Sequence, residues 1–285
     1  MILVTGATGT NGTEILKRLA TADVQVRAMV RNLDRASAIA LPDVHEVVEG
    51  DFDRPETLLA ALAGVERAFL LTNSSERAES QQIAFIDAAR KSGVAHVVKL
   101  SQFDADVDAS GRFQRYHAVV EAALQESGLA YTILRPNLFM QGLLNFRSTI
   151  ATQNAFYAAA GDTKVSIVDV RDNADVAVAA LTEDGHEGKI YDLTGPQALT
   201  HAEMAEGLSE ALGRQVMFID IPPEAMREAL LGLGFPEWQA EGLVEDYAHY
   251  RRGEAEAVTS GVQDAIGKAP RSFEEFSSDY VAMFS

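Results

Sequence analysis

The feature that most constrains this chain is its opening segment, MILVTGATGTNG, in which a short apolar run leads into three regularly spaced glycines. Residues 2–4 carry no charge and suit a strand buried in the middle of a parallel sheet. Gly6, Gly9 and Gly12 then fall at G-x-x-G-x-x-G spacing, just before a stretch over residues 13–20 that predicts a helix. A strand, turn and helix of this kind is typical of segments that bind a diphosphate.

Each glycine has a separate expected role in such a segment. Gly6 permits a sharp turn, Gly9 lets backbone N–H groups approach the phosphates, and Gly12 lets the helix pack closely on the strand. The helix N-terminus then faces the negative charge. A tight strand-to-helix loop without a ligand is the alternative, and the Gly-Lys-Ser/Thr ending of a P-loop is absent. The predicted cofactor-binding residues of this loop are Gly6, Thr8, Gly9, Thr10, Asn11 and Gly12.

Composition narrows the class of protein. With 285 residues, 47% of them hydrophobic, the chain can bury a large core as one elaborated domain or as two. Its apolar runs are short and it opens with a strand, so we expect no transmembrane helix, no signal peptide and a cytoplasmic location. The absence of cysteine excludes disulfides and a thiolate nucleophile, and no metal site is expected. A net charge of −18 argues against binding to nucleic acid or to a membrane surface.

Arg31 follows the second predicted strand, over residues 24–30. In a dinucleotide fold the residue at this position meets the adenosine ribose, where an acid accepts from a free 2′-hydroxyl and an arginine accommodates a 2′-phosphate. Arg31 therefore favours NADP(H), and Arg35 could add a second positive charge. The alternative is that both are solvated surface arginines.

Later strands deliver further candidates, because ligands of such sheets bind at the carboxyl ends of parallel strands. After a third strand over residues 44–49, Asp51 could reach the adenine amino group and Phe52 could flank its ring. The ends of the fourth, fifth and sixth predicted strands supply Thr72, Asn73, Ser101 and Asn137. Regular alternation of strands and helices up to residue 136 predicts right-handed crossovers, and hence an α/β fold with a doubly wound parallel sheet.

Beyond Asn137 the pattern changes to a segment rich in large apolar residues, LFMQGLLNF over residues 138–146. It suits plain core and the wall of a substrate pocket equally well. The pocket candidates are Phe139, Met140, Phe146 and Trp238, with Tyr247 as a further aromatic wall.

The expected organisation is a Rossmann domain over residues 1–150 and a smaller C-terminal α/β lobe over residues 151–285, with a strand of the lobe returning to the Rossmann sheet. Within the lobe, Asp172 is expected to cap a helix over residues 174–181. Thr200-x-x-Glu203 and Ser272-x-x-Glu275 each predict a capping box at the start of a helix.

Taken in order, these motifs resemble the NmrA-like group of atypical short-chain dehydrogenases, which includes triphenylmethane reductase and an NADPH-dependent quinone oxidoreductase. The resemblance lies in VTGATGTNG, Val30-Arg31-Asn32, EGDFDRPETL at 49–58, SGLAYTILRP at 127–136, and the late KIYDLTGP and PRSFEEF stretches. It implies a Rossmann domain, NADP(H), and a substrate cleft between that domain and the C-terminal lobe.

One departure from ordinary short-chain dehydrogenases concerns catalysis. Those enzymes use a tyrosine as proton donor and a lysine four residues later that lowers its pKa. Counting back from SGLAYTILRP, this chain has Phe113 and His117 at those positions. His117, oriented by Glu121, is the first candidate for proton donation or ribose binding, with a rate change expected near pH 6.5. Tyr116 is the second candidate, since one step along a helix turns a side chain by about 100°; the alternative for His117 is a partly exposed histidine without a role.

Two functions remain open at this point. The first is an NADPH-dependent reductase that transfers hydride to an electron-poor conjugated acceptor, such as a quinone or a dye, which needs little help from a side-chain acid. The second is a non-catalytic redox sensor of the NmrA type, whose affinity for a partner changes with NADP(H) occupancy. The apolar segment over residues 138–146 favours the reductase. A homodimer is compatible with either function.

Overall fold

The computed structural model of the chain describes residues 1–33 and 44–285. Its strands in these ranges are β1 (Ile2–Val4), β2 (Val26–Val30), β3 (Glu46–Glu49), β4 (Arg67–Leu70), β5 (His96–Leu100), β6 (Ala130–Pro136), β7 (Leu138–Phe139), β8 (Ala155–Ala158), β9 (Val165–Val168), β10 (Lys189–Leu193), β11 (Ala198–Leu199) and β12 (Met217–Asp220).

The α-helices of the same ranges alternate with the strands in the first half of the chain and cluster in the second. They are α1 (Thr10–Leu19), α2 (Pro55–Ala61), α3 (Ala78–Lys91), α4 (Arg112–Glu126), α5 (Arg147–Gln153), α6 (Val170–Thr182), α7 (His201–Leu212), α8 (Pro223–Gly232), α9 (Glu237–Arg251), α10 (Gly261–Ile266) and α11 (Phe273–Asp279). Two 3-10 helices cover Met140–Phe146 and Val281–Met283. None of the described helices is both long and apolar enough to cross a membrane.

Seven parallel strands form the central sheet, in the order β10-β6-β5-β4-β1-β2-β3. This arrangement confirms the predicted doubly wound parallel sheet. The strand order reverses between β1 and β4, the position at which such sheets bind their ligands. Thr5 joins the two strand ends there, because its Oγ1 donates to the carbonyl of Phe69 and accepts from the backbone N–H of Leu71 at 2.8 Å.

Each face of the sheet has its own core, because successive residues of a strand point to opposite faces. Val4 and Val98 face α1 and α6 and belong to one buried cluster. Their neighbours Leu3 and Val97 face the other side and pack with Phe85 of α3 and with residues of α2 and α4. Such strands are buried on both faces, which explains their nearly continuous apolar sequences.

The C-terminal part both joins this sheet and builds a lobe of its own. β10 pairs with β6 in parallel from Lys189 opposite Thr132 to Leu193 opposite Pro136. Two small sheets, β11-β9-β7 and β12-β8, surround a third core that includes Phe156. Both predicted capping boxes, Thr200 with Glu203 and Ser272 with Glu275, are confirmed.

Two helix starts differ from the sequence prediction. α1 begins at Thr10, three residues early, because the glycine loop ends at Gly9 and its extended backbone serves as N-cap. The predicted cap at Asp172 is wrong, since α6 begins four residues earlier and Asp169 caps it by accepting from the backbone N–H of Arg171. Asp172 lies in the first turn and pairs with Arg271.

Candidate functional site

The glycine loop forms an anion cradle at the start of α1. Gly6 has a φ of +61°, which reverses the chain after β1, and its carbonyl accepts from the Gly9 N–H at 3.0 Å. No side chain caps α1 and its first turn holds no acidic residue, so the N-terminal N–H groups stay available. Thr8, Gly9 and Thr10 are all exposed. The loop can therefore present backbone donors to a diphosphate.

The space around Gly12 and Gly9 shows which of these positions must be glycine for the fold and which leaves room for a ligand. A Cβ on Gly12 would collide with the Gly6 carbonyl, so this position must be glycine for the helix to pack against the loop. A Cβ on Gly9 would lie 3.4 Å from the same carbonyl, which is ordinary contact. The protein itself thus tolerates a side chain at Gly9, and the open space in front of it fits the diphosphate of a dinucleotide.

Asn11 is held from outside the loop. Asn173 of α6 donates from Nδ2 to Asn11 Oδ1 at 2.7 Å. Because Oδ1 accepts this bond, the Nδ2 group of Asn11 can donate to an anion bound in the loop.

Arg31 is exposed at the end of β2 and makes no ion pair or hydrogen bond with residues 1–33 or 44–285. A free guanidinium at this position suits the 2′-phosphate of NADP(H). Arg35, the second predicted cation, lies outside the described residues.

Asp51 and Phe52 follow β3 at the same edge of the sheet. Asp51 accepts from the Asp53 N–H at 3.0 Å, and the ring of half-buried Phe52 lies 5.7 Å from that of Phe85. At the end of β4, Thr72 Oγ1 accepts from the buried Gln82 at 2.9 Å, and Asn73 is exposed. Adenine and cofactor-channel contacts for these residues stay predictions.

Ser101 and Asn137 use their side chains inside the protein. Ser101 Oγ donates to Glu121. Asn137 Nδ2 donates to Ser166 Oγ at 2.8 Å and to the Ala255 carbonyl at 3.0 Å. Both stand at the carboxyl edge, but their side-chain donors are already engaged, so the role predicted for them in the cofactor channel stays a prediction.

Beneath this edge, β5 and α4 bring together a buried lysine and histidine. Lys99 has no exposed surface, and its Nζ lies 2.8 Å from Nδ1 of His117. Burial lowers the pKa of Lys99 to about 7. Burial, together with the adjacent Lys99, lowers the pKa of His117 well below its ordinary value, so the ring is neutral at physiological pH. The expectation that His117 would titrate near pH 6.5 is therefore wrong.

Glu121 does not orient His117, which corrects the sequence prediction. Its carboxylate accepts from Nη2 of Arg135 at 2.5 Å and from Ser101. The partner of His117 is Lys99, which the sequence reasoning missed. A lysine in the run HVVKL, in a strand expected to be fully buried, is the signal that could have identified it.

An aromatic cluster packs against the His117 ring. The Tyr116 ring lies 4.2 Å from the His117 ring, and Phe113 lies 5.3 Å from Trp238 between ring centroids. The Tyr116 hydroxyl is 3.2 Å from Ser74 Oγ, and burial raises its pKa well above the ordinary value. A pocket of about 320 Å³ opens beside Trp238, lined by residues 75–77 and 236–239. Of the predicted pocket residues, Trp238 is the one that this opening includes.

The apolar segment after β6 contributes mainly to the core. Met140 is 2% exposed inside the third core, so its prediction as a pocket wall is corrected to core. Phe146 packs on Phe156 at 5.9 Å, and Phe139 is half-buried against the core that faces α1. Tyr247 contacts Tyr250, and burial raises its pKa to about 12. Phe146 and Tyr247 therefore contribute to the core of the lobe and Phe139 to the core of the sheet, and a role of Phe139 or Phe146 in a substrate pocket stays a prediction.

The loop after β5 is linked to the lobe by a second buried acid. Gln102 Nε2 donates to Asp246 Oδ1 of α9 at 3.1 Å. Burial raises the pKa of Asp246 to about 7. This bond holds α9, which carries Trp238, against the carboxyl end of the sheet.

Comparison with known proteins identifies a family and several reductases to which the chain is similar. The model of the NmrA-like family matches residues 1–277. An NAD(P)H azoreductase of Xenophilus azovorans is 38% identical over 284 residues, which cover 100% of this chain and 99% of that protein. The (4-alkanoyl-5-oxo-2,5-dihydrofuran-3-yl)methyl phosphate reductase of Streptomyces griseus is 37% identical over 286 residues, covering 100% and 99%.

Solved structures show the same architecture. Triphenylmethane reductase of Citrobacter sp., complexed with NADP(H), superposes with a TM-score of 0.85 at 30% identity and covers 99% of this chain and 100% of its own. The NADPH complex of the quinone oxidoreductase QOR2 from Escherichia coli superposes with a TM-score of 0.86 at 29% identity, covering 98% and 99%.

Proposed function

This chain belongs to the NmrA-like family, and from that membership together with its site we propose that it is an NADPH-dependent reductase of electron-poor conjugated acceptors. The observation that carries the proposal is the combination of an open glycine cradle with a free Arg31 at the end of β2. When bound, NADPH supplies hydride, and the chain contributes binding and orientation. The residues proposed to hold it are the loop from Gly6 to Gly12 with Arg31.

The proposed acceptor class rests on the aromatic cluster. Buried Phe113 and Tyr116 support the half-buried ring of Trp238, which lines the pocket, and a flat apolar wall of this kind favours a flat conjugated molecule. The acceptors named for the relatives are an azo compound, an oxo-dihydrofuran, a quinone and a triphenylmethane dye. What these share is conjugation that spreads the charge delivered with hydride. We therefore infer a quinone-like or dye-like acceptor for this chain.

His117 is proposed as the residue that donates a proton to the reduced acceptor. Its Nδ1 accepts from Lys99, so the ring carries its proton on Nε2. Tyr116 is the weaker candidate, because its hydroxyl is engaged with Ser74 and its raised pKa opposes proton loss.

The test is NADPH consumption by the purified protein against a panel of quinones, azo dyes, triarylmethane dyes and simple aldehydes. We expect turnover with conjugated acceptors and little with isolated aldehydes, which cannot spread the added charge. NADPH binding without turnover of any acceptor would overturn the reductase proposal in favour of a redox sensor. The cytoplasmic location, the homodimer and the lack of a nucleic-acid or membrane partner stay predictions.

A further inference from the structure

We propose that Lys99 is the proton reservoir of the site, which resupplies Nδ1 of His117 while Nε2 of the same ring gives its proton to the reduced acceptor. This inference rests on the proposed function. In it His117 is the residue that touches the acceptor, and Lys99 acts through His117.

This proton relay, from Lys99 through His117 to the acceptor, follows from the contact between the two side chains. Lys99 Nζ donates to His117 Nδ1 at 2.8 Å and to its neighbour's carbonyl, Leu100 O, at 3.2 Å. Within the described parts of the chain no group lies at hydrogen-bond distance from His117 Nε2, and the ring keeps 9% of its surface exposed. One ring nitrogen therefore faces a buried ammonium group, and the other is free to bond a ligand.

The charged groups around Lys99 support this direction of transfer. From α4 it faces His117 and Glu121, and from β6 it faces Arg135. Glu121 is bonded to Arg135, so its carboxylate does not hold the Lys99 ammonium in a direct ion pair. Because burial brings the pKa of Lys99 to about 7 and leaves His117 neutral, Lys99 is the member of the pair that can release a proton near neutral pH.

The proton balance depends on the acceptor. A quinone that receives hydride, with its two electrons, still needs one proton to become a hydroquinone. The Nε2–H bond of His117 breaks as the acceptor's O–H bond forms, and an Nζ–H bond of Lys99 breaks as Nδ1–H forms. One solvent proton taken up at Nε2, with return of the Nδ1 proton to Nζ, restores the pair.

A cationic triarylmethane dye has a different demand, because hydride alone converts its carbocation into the neutral leuco form. Its reduction requires no proton from the protein. The two acceptors therefore separate a proton-supplying role of Lys99 from a merely structural one.

The experiment compares the Lys99→Met variant with the wild type, both loaded with NADPH. It measures single-turnover NADPH oxidation with 1,4-benzoquinone and with crystal violet as acceptors. Lys91→Met, on the exposed end of α3, is the matched control for loss of one lysine. We expect the wild-type rate with the quinone to fall as pH rises through about 7. We expect Lys99→Met to slow quinone reduction by about tenfold or more and to abolish this pH dependence. The rate of dye reduction by Lys99→Met should stay within about twofold of the wild-type rate. Equal slowing with both acceptors, or an unchanged pH profile, would overturn the relay.

A second measurement does not depend on turnover. In ¹⁵N-histidine NMR of the cofactor-free protein, the Nδ1 signal of His117 should shift as Lys99 titrates, and this shift should be lost in Lys99→Met. Lys99→Gln, which keeps an N–H donor, serves if the methionine variant does not fold. A His117 signal that ignores the state of Lys99 would refute the coupling, whereas failure of the wild type to reduce either acceptor would refute the proposed function instead.

Discussion

Asn173 Nδ2 donates to Asn11 Oδ1 at 2.7 Å, so a helix of the second half of the chain orients an amide in the cofactor loop. We expect Asn173→Ala to weaken NADPH binding by about three- to tenfold, since one hydrogen bond that sets orientation is worth about 0.5–1.5 kcal/mol. Isothermal titration calorimetry measures this loss. In the Asn11→Ala background the second substitution should add little, and additive losses would mean that the two residues act independently.

Arg31→Ala is expected to remove most of the preference for NADPH over NADH. A charge-assisted bond to the 2′-phosphate contributes about 1.5–3 kcal/mol, so NADPH binding should weaken roughly ten- to a hundredfold while NADH binding changes little. Arg90→Ala on α3, an exposed arginine far from the loop edge, controls for the change in net charge. Equal losses for both cofactors would contradict the 2′-phosphate assignment.

The glycines of the loop should respond differently to substitution. Gly9→Val is expected to abolish NADPH binding and to leave the melting temperature nearly unchanged, because a Cβ there meets only the Gly6 carbonyl at 3.4 Å. Gly12→Ala should lower the melting temperature, since its Cβ collides with the same carbonyl. Thermal unfolding and cofactor titration of both variants check the pair; normal NADPH affinity in folded Gly9→Val would remove the cradle assignment.

Tyr116→Phe should keep most of the activity, within about threefold. The hydroxyl lies against Ser74, and its pKa is raised by burial, so it is poorly suited to give up a proton. His117→Ala should lower the single-turnover rate with a quinone by about a hundredfold or more, the usual loss for a general acid. A collapse in Tyr116→Phe with His117→Ala intact would move the proton donor to the tyrosine.

Lys99 should leave a signature in stability as well as in rate. Its folded pKa of about 7 lies below the ordinary 10.5, so between these values the unfolded chain binds a proton that the folded one has released. The free energy of unfolding of the wild type, relative to Lys99→Met, should therefore rise with pH across this window by about 3–5 kcal/mol. Below about pH 7 the folded protein also binds this proton, so the destabilisation of the wild type by the buried ammonium reaches its full value. Urea titrations of both proteins at several pH values measure it, and a difference independent of pH would contradict a buried ammonium.

Sequence reasoning predicted most of the sheet because buried parallel strands have a simple pattern of apolar runs between helices. Because the strands were predicted to be parallel, their carboxyl ends were expected at one edge of the sheet. This expectation placed Arg31 and the glycine loop at the same edge. The contacts that it missed depend on how side chains from elements far apart in the sequence meet in the fold. Lys99 meets His117 only because β5 and α4 pack at one register, and Met140 turns inward for a similar reason. Composition and spacing carry no information about such registers.

Strand β10 gives the architecture a consequence for protein engineering. Because it completes the sheet beside β6, because α6 packs against α1, and because α10 packs against α6 and β10, the half of the molecule built on the central sheet contains three stretches of chain separated by other structure. No single crossover can therefore exchange the C-terminal lobe between relatives. A working chimera must retain residues 170–193 and α10 together with residues 1–136, and replace the other segments separately. Recombination libraries with one junction should yield mostly misfolded proteins.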